Sequence, residues 1–191
     1  MKETRDTFLP APPAEPLPAS LALLRQARFA LRDEFQVKIT RALEPLGDGQ
    51  IWQRPNEASN SIGNLILHLC GNARQWIVAG ISGAEDFRER NAEFAAREGI
   101  DRITLLALLA GTLAEVDDVL AALEIEVQLD ASDAALQRLC TPQRIPQTVL
   151  DAICHVVQHF GYHTGQIVYI AKMLAEGRVA FYDDRFLAGE K

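Results

Sequence analysis

The chain has 191 residues and a formal net charge of −7, with 48% hydrophobic and 24% charged residues. This composition is typical of one globular domain whose core is large enough to fold without disulfides, and the acidic balance argues against nucleic-acid binding. No segment approaches the roughly 20 apolar residues of a membrane span and the N-terminus has no apolar signal core, so we expect a cytoplasmic protein with no membrane partner. Its three cysteines share no metal-binding spacing and are expected to be reduced.

The N-terminal residues 1–18 hold five of the nine prolines, a composition that excludes a helix or a central strand. We predict an extended arm there, followed by a bundle domain over residues 19–183 and a short tail over residues 184–191.

Four long segments repeat apolar residues at helical spacing. They run from Leu21 to about Leu43, from Ile62 to about Ile81, from Asp101 or Thr104 to about Leu123, and from Gln147 to about Ala175. Ser20 and Asn60-Ser61 are the expected N-caps, while Ser82-Gly83 and Gly177 are the expected stops. Four amphipathic segments with almost no strand signal predict an all-α fold, a four-helix bundle with short irregular insertions.

Two connecting segments have a less regular pattern. Residues 84–99 are highly charged, and we interpret them as a solvated loop with a short helix, docked through Phe87 and Phe94. Residues 124–130 alternate polar and apolar side chains like a short strand, and Pro142 and Pro146 bracket a turn further on.

All four histidines of the chain lie in two of the predicted helices. His68 is in the second helix, and His155, His159 and His163 follow one another at spacings of four in the last. Residues four apart in an α-helix lie on the same face, so two adjacent imidazoles can bind one metal ion. The first and third are about 12 Å apart along the axis, too far for one compact site. We therefore expect one adjacent pair to bind together with His68.

The spacing leaves open which pair binds. His159 and His163 are flanked by Gly161 and Gly165, which would let another helix or a substrate approach, and Gln166 lies on the same face as His163.

The other pair, His155 and His159, has Asp151 one turn earlier as a partner for a ring N–H. On the second helix, Asn64 and Asn72 lie one turn either side of His68. They either orient that histidine or are polar residues of a helix interface.

Three histidines without a fourth protein ligand are typical of an open, catalytic metal site, whereas structural zinc sites are closed and rich in cysteine. Imidazole suits zinc, nickel and iron(II), among which the sequence does not choose. The alternative is a buried, hydrogen-bonded histidine cluster without a metal ion.

The most distinctive segments of the chain are NSIGNLILHLCGNARQW, RNAEFAAR and HVVQHFGYHTGQIVYIAKML. They resemble the DinB-like, or YfiT-like, superfamily of metalloenzymes, and more narrowly a bacterial subgroup of uncharacterised function. The resemblance spans roughly residues 20–183. It implies a four-helix bundle that holds a divalent metal ion through one histidine of the second helix and two, four apart, of the last. These are His68, His159 and His163, which leaves His155 one turn before the ligands.

Some members of that superfamily attach bacillithiol, mycothiol or glutathione to an electrophile, and others are isomerases or hydrolases. The resemblance therefore implies a metal-dependent enzyme, with transfer of a low-molecular-weight thiol as the first hypothesis. A metal-assisted hydrolase is the second and needs a carboxylate base, for which Asp151 is the candidate. A non-catalytic, stress-related binding module is the third. The proline arm, or an apolar stripe left over on one helix, would favour a homodimer.

Overall fold

The computed structural model describes residues 16–130 and 132–181. In this part of the chain four long helices form a bundle: α1 over residues 19–43, α3 over residues 62–82, α5 (Arg102–Asp130) and α7 (Val149–Leu174). Three short helices lie in the connections: α2 (Asp48–Ile51), α4 (Arg90–Ala95) and α6 (Ala134–Gln137). Two short strands, β1 (Leu139–Cys140) and β2 (Gln147–Thr148), pair antiparallel around a 3-10 turn at Pro142–Arg144. The predicted all-α bundle is confirmed, while most of the predicted arm and the whole predicted tail lie outside the described residues.

The helices α1 and α3 are each interrupted by a π-helical turn, a feature that often marks a functional region. In α1 the turn is Ala30–Phe35, and in α3 it is Arg74–Ala79. Each of these two helices packs against both α5 and α7, so α1 and α3 lie at opposite corners of the bundle. The short helix α4 packs on α3.

The bundle core contains fully buried side chains from all four long helices. Leu24 of α1, Leu69 of α3, Leu109 of α5 and Phe160 of α7 are each completely inaccessible to solvent. Burial of this apolar surface is the main stabilising contribution to the fold. It also fixes the relative positions of α3 and α7, the two helices that carry the histidines.

The predicted start and end of α3 agree with the structure. The Ser61 hydroxyl accepts a hydrogen bond from the Asn64 backbone N–H, and Asn64 reciprocates in a capping box. Gly83 ends the helix with φ of 79°, in the left-handed region that glycine adopts without strain. At the first helix the prediction of Ser20 as N-cap is wrong, because α1 begins at Ala19 after Pro18 and Ser20 is buried in its first turn.

The prediction of a strand over residues 124–130 is also wrong, because α5 continues without interruption to Asp130. The buried side chains of this segment, Glu124 and Val127, continue the helical spacing of Leu120 and Leu123. The helical spacing of the buried residues therefore predicts this segment correctly. The apolar residues that suggested a strand do not form a buried face, and Leu129 is 84% exposed. None of the described helices has the length and apolar character needed to cross a membrane.

Candidate metal site

The packing of α3 against α7 brings three histidines together inside the bundle. His68, His159 and His163 each offer one ring nitrogen, and these three atoms lie within 4.8 Å of one another. The ring centroids are 4.9 Å apart for His68 and His159, 5.2 Å for His68 and His163, and 4.4 Å for His159 and His163. A group of this kind could hold one metal ion.

His68 is held at the centre of α3 with its side chain almost completely buried. Its Nδ1 lies 2.8 Å from the Oε2 atom of Glu93, and the Phe94 ring packs 4.7 Å from the imidazole. Both of these partners belong to α4, the short helix that covers α3. Because Nδ1 is engaged with a carboxylate, Nε2 is the His68 nitrogen left to bind a ligand.

His163 is oriented in a similar way from its own helix. Its Nδ1 lies 2.6 Å from Oε1 of Gln166, three residues further along α7. An amide oxygen only accepts hydrogen bonds, so this contact places the proton on Nδ1 and leaves the Nε2 lone pair free. Burial lowers the pKa of His163, which favours the neutral ring that a metal ion requires.

His159 provides the test of whether these residues fit a metal ion. Its Nε2 atom is buried and has no hydrogen-bond partner among the described residues. Burial, followed by the neighbouring His163 and His68, lowers the pKa of this imidazole to about 3, so the ring is neutral at pH 7. An unpaired polar atom in the interior is costly unless a ligand satisfies it. The donor set of the three neutral imidazoles fits a divalent ion.

The fourth histidine lies outside this group. The His155 ring stacks on Trp76 with 3.8 Å between the ring centroids, and its Nε2 lies 3.3 Å from Nδ2 of Asn72. The cluster therefore contains the pair His159 and His163, and His155 lies one turn before it with a hydrogen-bond partner of its own.

The structure places Asn64 and Asp151 in helix caps. Asn64 belongs to the capping box of α3, and its amide also donates to the backbone carbonyls of Glu93 and Ala96, so it holds α4 in place. Asp151 closes the capping box of α7 with Thr148 and is exposed. Its carboxylate accepts a hydrogen bond from the Thr148 hydroxyl at 2.6 Å.

Glu93 and Arg88 are two site residues that the sequence analysis assigned to a solvated charged segment. The interpretation of residues 84–99 as a solvated charged loop is wrong for this pair, whose side chains are 10% and 4% exposed. It is also wrong for Phe87, which is 76% exposed and does not anchor the segment. Two opposite charges can be buried together when they neutralise each other and are hydrogen-bonded.

A sequence signal for this pair exists in Gly71, an interior glycine one turn after His68. A Cβ atom at that position would lie 2.0 Å from Oε1 of Glu93 and 3.0 Å from Nε of Arg88. A side chain at this position of α3 would collide with Glu93, so the glycine leaves space for Glu93 and Arg88 to pack on the helix. Of the two glycines noted on α7, Gly161 lies against Phe35 of α1, whereas Gly165 has open space around it.

The three cysteines are all free thiols, as the sequence predicts. Cys70 follows His68 by two residues, but burial raises its pKa to about 12, and it is therefore a neutral thiol at pH 7. The chain does not present a thiolate of its own at this position.

The comparisons with known proteins bear on these residues. A protein-family model described as "Protein of unknown function (DUF1572)" matches residues 19–181. This chain belongs to the DUF1572 family. The matched segment includes the three clustered histidines together with Glu93 and Arg88. No curated protein matches the chain.

Proposed function

We propose that this DUF1572 protein is a metal-dependent enzyme that holds one divalent ion through Nε2 of His68, His159 and His163. The observation that carries the proposal is the buried, unpartnered Nε2 of His159, which lies beside two other imidazoles. Zinc, nickel and iron(II) suit such a set of ligands. When bound, such an ion would supply Lewis acidity and lower the pKa of a thiol or water.

We further propose that the family belongs to the DinB-like superfamily. The support is the distribution of the three histidines, with one on the second long helix of the bundle and two, four residues apart, on the last. This is the distribution that the resemblance of the segments implies.

The state of the carboxylates favours thiol transfer over hydrolysis. Glu93 is the described carboxylate that contacts the cluster, and it is already hydrogen-bonded to His68 and Arg88. Asp151, the base that a hydrolase would need, caps α7 and is exposed. A thiol requires no carboxylate base if the site lowers its pKa, because its proton can leave to the solvent.

The proposed reaction is the transfer of a low-molecular-weight thiol to an electrophile. The thiol loses its proton to the solvent, its sulfur forms a bond to an electrophilic carbon, and the leaving group departs with the electrons of the broken bond. The residues of this chain would keep the three imidazoles neutral and fixed in direction. His68 is fixed by Glu93 and His163 by Gln166.

The experiment that tests this reaction compares metal-loaded protein with chelator-treated protein. Consumption of glutathione, bacillithiol and mycothiol is followed with an aromatic halide as electrophile, and His159→Ala is measured in parallel. We expect metal-dependent turnover that is lost in the variant. If the metal-loaded protein is inert toward all three thiols, the thiol-transfer proposal is wrong, and the non-catalytic binding module becomes the favoured hypothesis.

A further inference from the structure

The carboxylate of Glu93 lies between His68 and a buried arginine. Arg88 donates from Nε to Oε1 at 2.7 Å and from Nη2 to Oε2 at 3.0 Å, and Oε2 is the same oxygen that contacts Nδ1 of His68. The Arg88 Nη2 atom also lies 3.0 Å from this Nδ1. A third hydrogen bond joins Nη1 to Oε1 of Gln75 at 2.9 Å and fixes the far side of the guanidinium.

The chemistry of these groups allows only one of the two contacts to His68 at a time. A carboxylate only accepts hydrogen bonds, and a guanidinium only donates them. If Nδ1 carries the proton, it donates to Glu93 and Nε2 has a free lone pair. If Nδ1 is bare, it accepts from Arg88 and the proton is on Nε2, which can then no longer bind a metal ion.

We propose that Glu93 is a positioning residue that keeps His68 in the metal-binding tautomer against Arg88, which would select the opposite tautomer if Glu93 were absent. The part of this inference that concerns metal affinity rests on the proposed function, whereas the part that concerns the tautomer does not. Glu93 therefore does more than brace the ring, because it also satisfies the guanidinium that competes for the same nitrogen.

Neighbouring residues of α3 position the Glu93 and Arg88 pair against His68. Gly71 leaves room for the Glu93 carboxylate on the surface of α3. The Asn64 amide donates a hydrogen bond to the backbone carbonyl of Glu93 at 2.8 Å, which fixes the backbone from which the Glu93 side chain extends. The Nδ1 atom lies within hydrogen-bond distance of both groups, 2.8 Å from Oε2 of Glu93 and 3.0 Å from Nη2 of Arg88, so the two compete for the same nitrogen.

The tautomer is measured directly in metal-free protein by long-range nitrogen–proton NMR of the His68 ring. We expect Nδ1–H in the unmodified protein and Nε2–H in Glu93→Ala. In the double variant Arg88→Met with Glu93→Ala, the preference for Nε2–H should disappear because the competing donor is gone. Nε2–H in the unmodified protein would overturn the inference without any variant, so the test does not depend on Glu93→Ala folding.

Zinc affinity, measured by competition with a chromophoric chelator, is the second readout. We expect Glu93→Ala to lose about 10–100-fold in affinity, the usual effect of removing a partner of a metal-bound histidine. The double variant should regain at least tenfold over Glu93→Ala, a rescue that a purely structural role of the pair would not give. Glu115→Ala, which removes a carboxylate from an exposed ion pair of α5 with Arg74, is the control and should match the unmodified protein.

The outcomes separate this inference from the proposed function. Unmodified protein that binds no zinc but shows His68 as Nδ1–H, inverted in Glu93→Ala, would contradict the metal site and keep the tautomer assignment. Protein that binds zinc while the double variant is as weak as Glu93→Ala would keep the site and overturn the role of Arg88.

Discussion

At the scale of single residues, the site depends on hydrogen bonds that fix the direction of each imidazole. Glu93 and Gln166 each engage an Nδ1 atom, and the buried Nε2 of His159 has no hydrogen-bond partner among the described residues. The Nδ1 atoms of His68 and His163 thus have hydrogen-bond partners, whereas the buried Nε2 of His159 has none in this part of the chain. A metal ion would satisfy this atom, and its position beside two other imidazoles favours the metal site over a self-contained histidine cluster.

The first prediction concerns Gly71→Ala. The added methyl group would meet the Glu93 carboxylate at 2.0 Å and must displace the side chain, so we expect a loss of about 1–3 kcal/mol in the free energy of unfolding and weaker zinc binding. Chemical denaturation and chelator competition measure the two effects. Gly111→Ala on α5, where a Cβ has open space, is the control and should stabilise the protein by up to about 1 kcal/mol. Equal effects of the two substitutions would contradict the docking of Glu93 on α3.

At the scale of helices, a seam of ion pairs joins α1 to α5 on the side of the bundle away from the histidines. Arg28 is bidentate to Asp117 at 2.7 and 3.1 Å and also donates to Glu124 at 2.7 Å. Arg25 donates one further hydrogen bond to Glu124, and Arg32 donates one to Asp117. Hydrogen bonds from Arg28 and then Arg32 lower the pKa of Asp117, while those from Arg25 and Arg28 outweigh burial and lower the pKa of Glu124.

The second prediction follows from the sign of these shifts. A carboxylate whose pKa is lower in the folded state contributes stability that is present above its unfolded pKa of about 4 and lost as the pH falls through the folded pKa. We expect Asp117→Asn to reduce the free energy of unfolding by about 1–3 kcal/mol at pH 7, because Arg28 and Arg32 lose a charged partner. The reduction should shrink at acid pH. Urea denaturation at neutral and acid pH measures it, with the exposed neighbour Asp118→Asn as control. A reduction that is the same at both pH values would contradict the charge argument.

At the scale of the whole molecule, regular helical spacing determined what the sequence could predict. Apolar periodicity predicts the four long helices, and a spacing of four allows two histidine pairings, of which His159 with His163 is one. The role of Glu93 could not be predicted this way, because the residue lies 25 positions after His68 and reaches it only through the packing of α4 on α3. Charged residues that pair across a long sequence separation leave no local pattern in the sequence. A charged segment is therefore interpreted as solvent-exposed unless the residues that it contacts are known.

The third prediction concerns the coupling of metal binding to stability. A ligand that binds only the folded state stabilises it, by about 2.7 kcal/mol when its free concentration is 100 times the dissociation constant. We expect zinc to raise the melting temperature of this protein and to leave that of His159→Ala unchanged. Differential scanning calorimetry with and without zinc measures the shift. A similar shift in both proteins would mean that zinc binds elsewhere.

The most direct test of the three-histidine metal site is the metal content of freshly purified protein, measured by elemental mass spectrometry alongside three variants. We expect about one divalent ion per chain. This ion should be lost in His68→Ala and in His159→Ala and retained in His155→Ala, because His155 has its own partner in Asn72. Protein without metal that also fails to take up zinc, nickel or iron(II), or an ion retained in all three variants, would contradict the site built from His68, His159 and His163.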